Sequence, residues 1–340
     1  MKRREFLAKA AAAAAGLGFA GQGLAPAEQE KVTVVQVFHP GAMVNAEPND
    51  EVAAEMVRRG ILRLTGKESV AEAWAQFVAP DDVVGIKVNP LSGWGLSTNL
   101  GVVAEIVRGL VAAGVPEKNI IIWDRFASHL ERAGFEIKED GAGVRCYGTD
   151  SPSGGEDEEV VYEPRREDYP LGLPDWSPSQ FSKIATRQVT KIINAPVLKD
   201  HLQSGITGAL KNIAFGVINK TSRFHRAPYN CDPAIAQVAA HPAIREKVVL
   251  HICDALRACY EGGPVYQDQF SWEAKTLLFA TDPVAMDRVL LDIVQAKRKE
   301  HRLPDLYRTP RPPKHIHTAA KLGLGTDDLQ KVEVVRVNLG

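Results

Sequence analysis

Short apolar segments alternate with amphipathic segments along most of this chain, and this alternation constrains the fold more than any other feature. Runs rich in Val and Ile occur at residues 32–38, 83–88, 119–123 and 189–193, and such runs are typical of buried strands. The segments between them carry apolar residues at helical spacing. Strands that alternate with helices usually pair in parallel. The sequence therefore predicts an α/β fold with a mostly parallel sheet and helices on both faces, in three layers.

One stretch interrupts the alternation. Residues 150–180 are rich in Pro, Gly, Ser and acidic residues, which favours a long loop insertion at the surface with at most a short strand at residues 159–162. Because strands on both sides of it can belong to one sheet, we predict a single α/β domain at residues 28–340 that carries this insertion.

The first 27 residues have the pattern of a twin-arginine signal peptide. Arg3 and Arg4 precede Phe-Leu, an Ala- and Gly-rich run follows, and residues 25–27 form a small-x-small cleavage site. An amphipathic first helix is the disfavoured alternative because the run has no polar face. The run is also too short and weakly apolar for stable membrane insertion. We expect export through the twin-arginine translocase and a periplasmic or otherwise exported location.

The charge balance argues against two classes of partner. The full chain has 41 basic and 42 acidic residues, and residues 1–27 hold four of the former and one of the latter. The remaining chain has a formal net charge of −4. A mildly acidic chain without a basic run is not expected to bind nucleic acid or an anionic membrane surface.

The cysteines and histidines do not form a recognisable metal motif. No C-x-x-C occurs among the four cysteines, so a cysteine-ligated iron–sulfur cluster or a paired-cysteine zinc site is not expected. Cys253 and Cys259 could form a disulfide in an oxidising compartment, although four unconnected core thiols is the favoured interpretation. His315 and His317 suggest a metal ion, but exposed loop histidines are favoured. The cofactor is therefore unknown, with a metal ion left open.

Residues 192–220 give the strongest functional signal. A strand ends at Asn194, a polar loop carries Lys199 and His201, and a helix follows with Lys211 and Asn212 in its first turns. In α/β sheets this junction usually binds the ligand, and the N–H groups of a helix start attract anions. We expect the lysines to hold a phosphate or carboxylate and the histidine to act as acid or base. The catalytic candidates are His201, Lys199 and Lys211.

Polar residues at the ends of other strands are expected to meet at the same edge of the sheet. They are Asn89, Asp124, Asn194, Asp254 and Asp282. Asp124 is either a ligand-facing carboxylate or part of an internal ion pair, and Asp282 is primarily a helix cap. Glycines at 205 and 208 permit close approach of a ligand to the backbone. The candidates for substrate binding are Asn89, Asp124, Thr207, Gly208, Asn212 and Arg223, the last as part of a lid after the key helix.

These segments resemble the DUF362 family of bacterial and archaeal proteins. The resemblance covers about residues 83–294, within a core placed at about 83–297. It rests on VVGIKVNP, INAPVLKDHLQSGITGALKNIAFG, the segment around Gly262-Gly263-Pro264, and TDPVAMDRVLL. Lys199, His201, Thr207, Lys211 and Asn212 fall on the family's K-x-H…T-x3-K-N pattern. The resemblance implies an α/β fold and a shared polar site but no defined reaction. Many relatives carry a ferredoxin-like cysteine module, which this sequence lacks.

Three functional hypotheses follow. The first is an exported enzyme that acts on a small anionic substrate, and the second is a non-catalytic periplasmic binding or cofactor-handling protein that uses the same pocket. The third is a redox protein associated with a metal or an iron–sulfur cluster. The sequence does not specify the substrate, the reaction or the oligomeric state.

Overall fold

A ten-stranded sheet runs through the molecule. The structure, a computed structural model, describes residues 31–340, so the predicted signal peptide at 1–27 lies outside the described residues. Two small two-stranded sheets, β2–β3 and β7–β8, accompany the large one. The strands are β1 (Val32–Phe38), β2 (Met43–Val44), β3 (Glu47–Pro48), β4 (Val84–Lys87), β5 (Ile120–Asp124), β6 (Arg145–Gly148), β7 (Glu156–Tyr162), β8 (Ser179–Ser182), β9 (Lys191–Asn194), β10 (Val197–His201), β11 (Gly205–Thr207), β12 (Val248–Cys259), β13 (Ser271–Ala280) and β14 (Val332–Asn338).

Helices cover both faces of the sheet. In the described part of the chain they are α1 (Asp50–Thr65), α2 (Val70–Trp74), α3 (Leu100–Ala112), α4 (Ala127–Arg132), α5 (Ala209–Phe215), α6 (Ala234–Ala239), α7 (Pro242–Arg245), α8 (Pro283–Glu300) and α9 (Lys314–Lys321). Helices α1–α4 pack on one face, and α5–α9 pack on the other in a separate apolar cluster. Successive residues of a strand point to opposite faces of the sheet. In β9, Ile192 packs in the cluster with α5–α9, and Ile193 packs in the cluster with α1–α4. The predicted three-layer α/β fold is confirmed.

The order of the main path is β14-β1-β13-β12-β9-β4-β5-β6, and β10 and β11 branch from β12. Strands β12, β9, β4, β5 and β6 pair in parallel, whereas β13 is antiparallel to both of its neighbours. The carboxyl end of β13 therefore lies at the opposite edge. Asp282, which follows it, does not join the other strand ends, and the prediction that it would was wrong.

The segment after β9 is a strand rather than the predicted loop. Residues Ala195 and Pro196 interrupt the extended chain, and β10 then continues beside β12, whose 12 residues pair first with β9 and next with β10. Strand β11 folds back against β10 in antiparallel register. The backbone of Val197–His201 is thus held on both sides, which fixes Lys199 and His201 to the sheet.

The insertion at 150–180 contributes to the core as well as to the surface. Its strand β7 is longer than the predicted 159–162 and pairs with β8. Tyr162, Tyr169 and Leu173 are buried in the cluster on the α5–α9 face. These aromatic and aliphatic side chains, spread among many polar residues, give no periodic signal, so the sequence indicated a loop.

All four cysteines are buried free thiols. Cys253 and Cys259 lie on the same strand, six residues apart, which separates them by about 20 Å along an extended chain. The disulfide alternative is therefore wrong. Among residues 31–340, no helix is long and apolar enough to cross a membrane.

Candidate functional site

A cavity of about 530 Å³ lies where β4, β5 and β10 end. Strand ends and the loops that follow them supply most of its wall, as expected for the ligand-binding edge of an α/β sheet. The predicted site residues that line it are Asn89, Asp124, Lys199, His201, Thr207, Lys211 and Asn212.

Strand β10 places its alternate side chains on opposite sides. Lys199 and His201 line the cavity, and Thr207 lies directly across from Lys199 on β11. Asp200, between them, points away and pairs with Arg311 in a buried cluster that also holds Arg298 and Glu261. The K-x-H spacing therefore puts its two basic groups on one face because the segment is a strand.

A chain of amide groups fixes the floor of the cavity. Asn89 Oδ1 accepts from Lys199 Nζ at 2.8 Å, and Asn89 Nδ2 donates to Asn212 Oδ1 at 3.0 Å. Asn212 Nδ2 in turn donates to Asn194 Oδ1 at 2.8 Å. Lys199 can only donate, so it fixes the side-chain oxygen of Asn89 toward itself, and each following amide must then point its oxygen toward the previous one. The amides of Asn89 and Asn212 therefore have one orientation each. They hold the site in shape and have little left to offer a ligand.

Lys199 acts through its charge. Besides Asn89, its Nζ donates to Ser92 Oγ and to the carbonyl oxygen of Leu96, both at 3.3 Å. These three acceptors match the three hydrogens of an ammonium group. Burial, and then the nearby charge of Lys211, lower the pKa of Lys199 to about 7. An anion in the cavity would favour the protonated form.

Lys211 Nζ has hydrogens that no acceptor in the described part of the chain uses. Its Nζ lies 3.4 Å from His225 Nε2, and His225 Nδ1 is 2.9 Å from the carbonyl oxygen of Thr221, which makes Nδ1 the donor and Nε2 the acceptor. Burial lowers the pKa of Lys211, and burial together with the Lys211 charge lowers the pKa of His225 to about 4. Within residues 31–340, Lys211 has no carboxylate at ion-pair distance.

The hydrogen bonds of His201 fix it as a neutral ring that donates from one nitrogen. Its Nδ1 accepts from the backbone N–H groups of Gln203 and Ser204 at 3.1 and 3.2 Å. The hydrogen must then be on Nε2. Burial, and then the charge of Lys211, hold the pKa of His201 well below its ordinary value.

Lys87 is a site residue that the sequence analysis missed. It is fully buried at the end of β4, and its Nζ donates to Asp124 Oδ1 at 2.5 Å and to the carbonyl oxygen of Val88 at 2.7 Å. Burial raises the pKa of Asp124, but the Lys87 ammonium and a hydrogen bond from His129 together outweigh it, so the pKa of that carboxyl group is lowered. Of the two roles considered for Asp124, a ligand-facing carboxylate and a partner in an internal ion pair, the structure therefore shows the second. The sequence did contain a signal for Lys87, since it is a single charged residue in an otherwise apolar strand.

The start of α5 is closed to ligands. The buried carboxylate of Asp287, on α8, accepts from the N–H groups of Ala209 and Leu210 at 2.6 and 3.2 Å. A Cβ atom at Gly208 would lie 2.2 Å from this carboxylate. The glycine accommodates Asp287 instead of a bound anion, so both the helix-start site and Gly208 as a binding residue were wrong.

Arg223 also lies outside the cavity. Its guanidinium donates to the carbonyl oxygens of Asp175 and Ser177 and to Ser179 Oγ, all at the end of the insertion. It anchors the insertion rather than covering the ligand site.

Three other predicted residues serve the scaffold. Asp254 accepts from both N–H groups of Asn99, and Asp282 caps α8 as predicted. His315 lies buried on α9 rather than in a loop. Across residues 31–340, no group of three or more His, Cys, Asp or Glu side chains has an arrangement that could hold a metal ion.

The cavity has a strong excess of positive charge. Four basic side chains line it, those of Lys87, Arg125, Lys199 and Lys211, against one carboxylate, that of Asp124, and the pKa of about 7 leaves Lys199 partly charged at neutral pH. The pKa values of His201 and His225, which also line it, are depressed by burial and by the Lys211 charge, so these two rings add no charge at neutral pH. Buried cations without partners are costly, so this arrangement suits an anionic ligand.

Comparison with known proteins gives a family without an assigned activity. A family model described as "Domain of unknown function (DUF362)" matches residues 84–292. A crystal structure of a Thermotoga maritima protein, a Northeast Structural Genomics Consortium target, is similar with a TM-score of 0.42 and 11% identity. The match covers 72% of this chain and 59% of that one, so the chain spans about three fifths of the neighbour's length. The search of curated proteins gave no match.

Proposed function

The chain belongs to the DUF362 family, whose description gives no activity, and we propose that this member is an exported protein that binds a small organic anion in the cavity. The observation that carries the proposal is the charge balance of the lining, with four basic side chains and one carboxylate. Since Lys87 is neutralised by Asp124, the uncompensated charge is that of Lys199, Lys211 and Arg125.

Three donors are available to the anionic group. Lys211 Nζ has hydrogens that the protein does not use, and His201 retains a hydrogen on Nε2. Thr207 Oγ1 is buried and has no hydrogen-bond partner in the described part of the chain. A carboxylate or phosphate oxygen accepts bonds from all three types of donor. Lys199 and Arg125 add charge at longer range.

The test measures anion affinity by isothermal titration calorimetry, with inorganic phosphate and with acetate as probes. We expect Lys211→Gln to weaken binding about tenfold or more, because it removes a charge-assisted hydrogen bond. Lys118→Gln, which removes the same charge from an exposed position outside the cavity, is the matched control. Equal affinity in both variants and in the unmodified chain would refute the cavity as the anion site.

We also propose export through the twin-arginine translocase to the periplasm or beyond. The support is the sequence pattern at residues 1–27 with Arg3 and Arg4. Fractionation of cells that produce the full chain should place the mature protein outside the cytoplasm. Replacement of both arginines, by Arg3→Lys with Arg4→Lys, should retain it inside. Equal distribution of the two proteins would refute this route.

Catalysis is the second candidate function, favoured by one observation. A buried lysine whose pKa is lowered to about 7 faces the cavity beside an oriented neutral histidine, and such displaced groups cluster at active sites. If bound anions react, His201→Gln should reduce turnover far more than affinity. Time courses by NMR with each anion that binds will show whether any is converted. If none is, the protein is a binder.

A further inference from the structure

The mouth of the cavity has a different character from its floor. Three large apolar side chains line the cavity and remain exposed to solvent: Leu91 and Phe126 at 38% each and Leu202 at 54%. They come from three separate segments, after β4, after β5 and between β10 and β11. We call Leu91, Phe126 and Leu202 the apolar rim. Single exposed leucines are ordinary, but three that converge on one opening form a feature of the site.

The floor below the rim is polar and buried. Lys87 and Lys199 have no exposed surface, and Asn212 and His201 are almost fully buried. A ligand therefore meets the apolar rim at the entrance and the charges of Lys87 and Lys199 behind the floor. An inorganic ion would occupy the floor and leave the rim in water.

The size of the cavity also exceeds that of a simple ion. Its volume of about 530 Å³ lies within the range of roughly 300–1,000 Å³ of pockets that hold small organic ligands. Pockets for small organic ligands are usually lined by apolar groups, with a few polar ones that fix orientation. Here Lys87 and Lys199 are fully buried, and the exposed apolar groups share the mouth with Arg125, whose guanidinium lies 5.0 Å from the ring centroid of Phe126.

We propose that the ligand is amphipathic: a carboxylate or phosphate head at Lys211 and His201, joined to an aromatic or short alkyl group that packs against the apolar rim. This inference rests on the proposed anion site and specifies its ligand class. Contact with the ligand removes the exposed surface of Leu91, Phe126 and Leu202 from water, which favours the complex.

The experiment compares matched pairs of probes in calorimetry on the full chain. One pair is phenyl phosphate with inorganic phosphate, at a pH where both are dianions, and the other is phenylacetate with acetate. We expect the member with the ring to bind about tenfold or more tightly in at least one pair, from the apolar area it buries. The pair that responds identifies the head group.

Variants of the rim give the control. In Leu202→Ser the ratio of the two dissociation constants should shrink toward one, whereas Leu171→Ser should keep it, because Leu171 is an exposed leucine outside the cavity. Equal affinities within both pairs in the unmodified chain would overturn the amphipathic ligand while the anion site stands. Loss of the ratio in Leu171→Ser as well would also overturn it. No binding of any probe would refute the anion site itself.

Discussion

The ion pair between Lys87 and Asp124 decides how much positive charge the cavity presents. Both groups are almost completely buried, and the carboxylate neutralises the ammonium at 2.5 Å. Breaking a buried pair leaves an uncompensated charge, which costs about 3–5 kcal/mol of folding stability. The same change removes the one negative charge that lines the anion site. Stability and affinity should therefore move in opposite directions.

We predict that Asp124→Ala lowers the free energy of unfolding by about 3–5 kcal/mol and raises anion affinity about tenfold. Asp124→Asn keeps an acceptor for Lys87, so it should lose less stability while gaining similar affinity. Urea unfolding and calorimetry with acetate measure the two quantities. Weaker acetate binding in both variants would instead make Asp124 a ligand-facing group.

Anion affinity should depend on the proton of Lys199. Its pKa of about 7 in the folded protein is below the ordinary 10.5 because burial disfavours the charged form. Between these values the unfolded chain binds more protons, so this group makes folding more favourable as pH rises from about 7. An anion has the opposite preference. We predict that sulfate, whose charge is constant in this range, binds up to tenfold more weakly per pH unit above about 7.

Calorimetry with sulfate from pH 6 to 9 measures this dependence, and Lys199→Met is the informative variant, since it removes the titrating group but keeps an aliphatic chain. The variant should bind sulfate more weakly at pH 6 and show a flatter profile. Lys211 also faces the cavity with a lowered pKa, so a profile unchanged in Lys199→Met would assign the titration to Lys211.

Single residues of the site were predictable where the sequence put several polar groups close together. Lys199, His201, Lys211 and Asn212 lie within one short segment, and all four line the cavity. Lys87 was missed because its partner, Asp124, is 37 positions away. Only the parallel pairing of β4 with β5 brings the two together.

At the scale of secondary structure, the start of α5 shows why a helix start is weak evidence for a ligand. Asp287 comes from α8, far along the chain, and takes two of the N–H groups that the sequence analysis assigned to an anion. Helix caps that come from the neighbouring sequence were predictable: Asn49, Ser69 and Asp282 all cap the helices they precede. A cap from a distant helix has no local signal.

We predict that Asp287→Ala destabilises the protein by about 1–3 kcal/mol, because two buried N–H groups lose their acceptor. Burial raises the pKa of Asp287 to about 7, so the neutral Asp287→Asn should be tolerated much better. Thermal unfolding measures both. Asp292→Ala, on the same helix but in a surface pair with Arg288, is the control. A variant Asp287→Ala as stable as this control would show that the cap contributes little.

For the whole molecule, alternation of strands and helices was enough to predict the class of fold but not its connections. The sheet was predicted as mostly parallel, and it is, yet β13 runs against its neighbours. Both β12 and β13 are apolar runs, and an apolar run does not specify the direction of its partner. The segment at residues 150–180 was assigned to the surface, because its buried aromatic residues contact parts of the chain that are distant in sequence.

Arg223 joins that insertion to the rest of the molecule, and this gives a test that separates its two assigned roles. It is buried and donates to backbone or hydroxyl oxygens between residues 175 and 179. We predict that Arg223→Met increases hydrogen exchange across residues 165–182 more than tenfold, because these acceptors lose their donor. Anion affinity should stay within about threefold, since Arg223 does not line the cavity.

Arg226→Met removes the same charge from an exposed position three residues away and should change neither quantity. If Arg223→Met instead weakened acetate binding and left exchange in the insertion unchanged, Arg223 would act on the ligand as the sequence suggested, and the insertion would be held by its aromatic core alone.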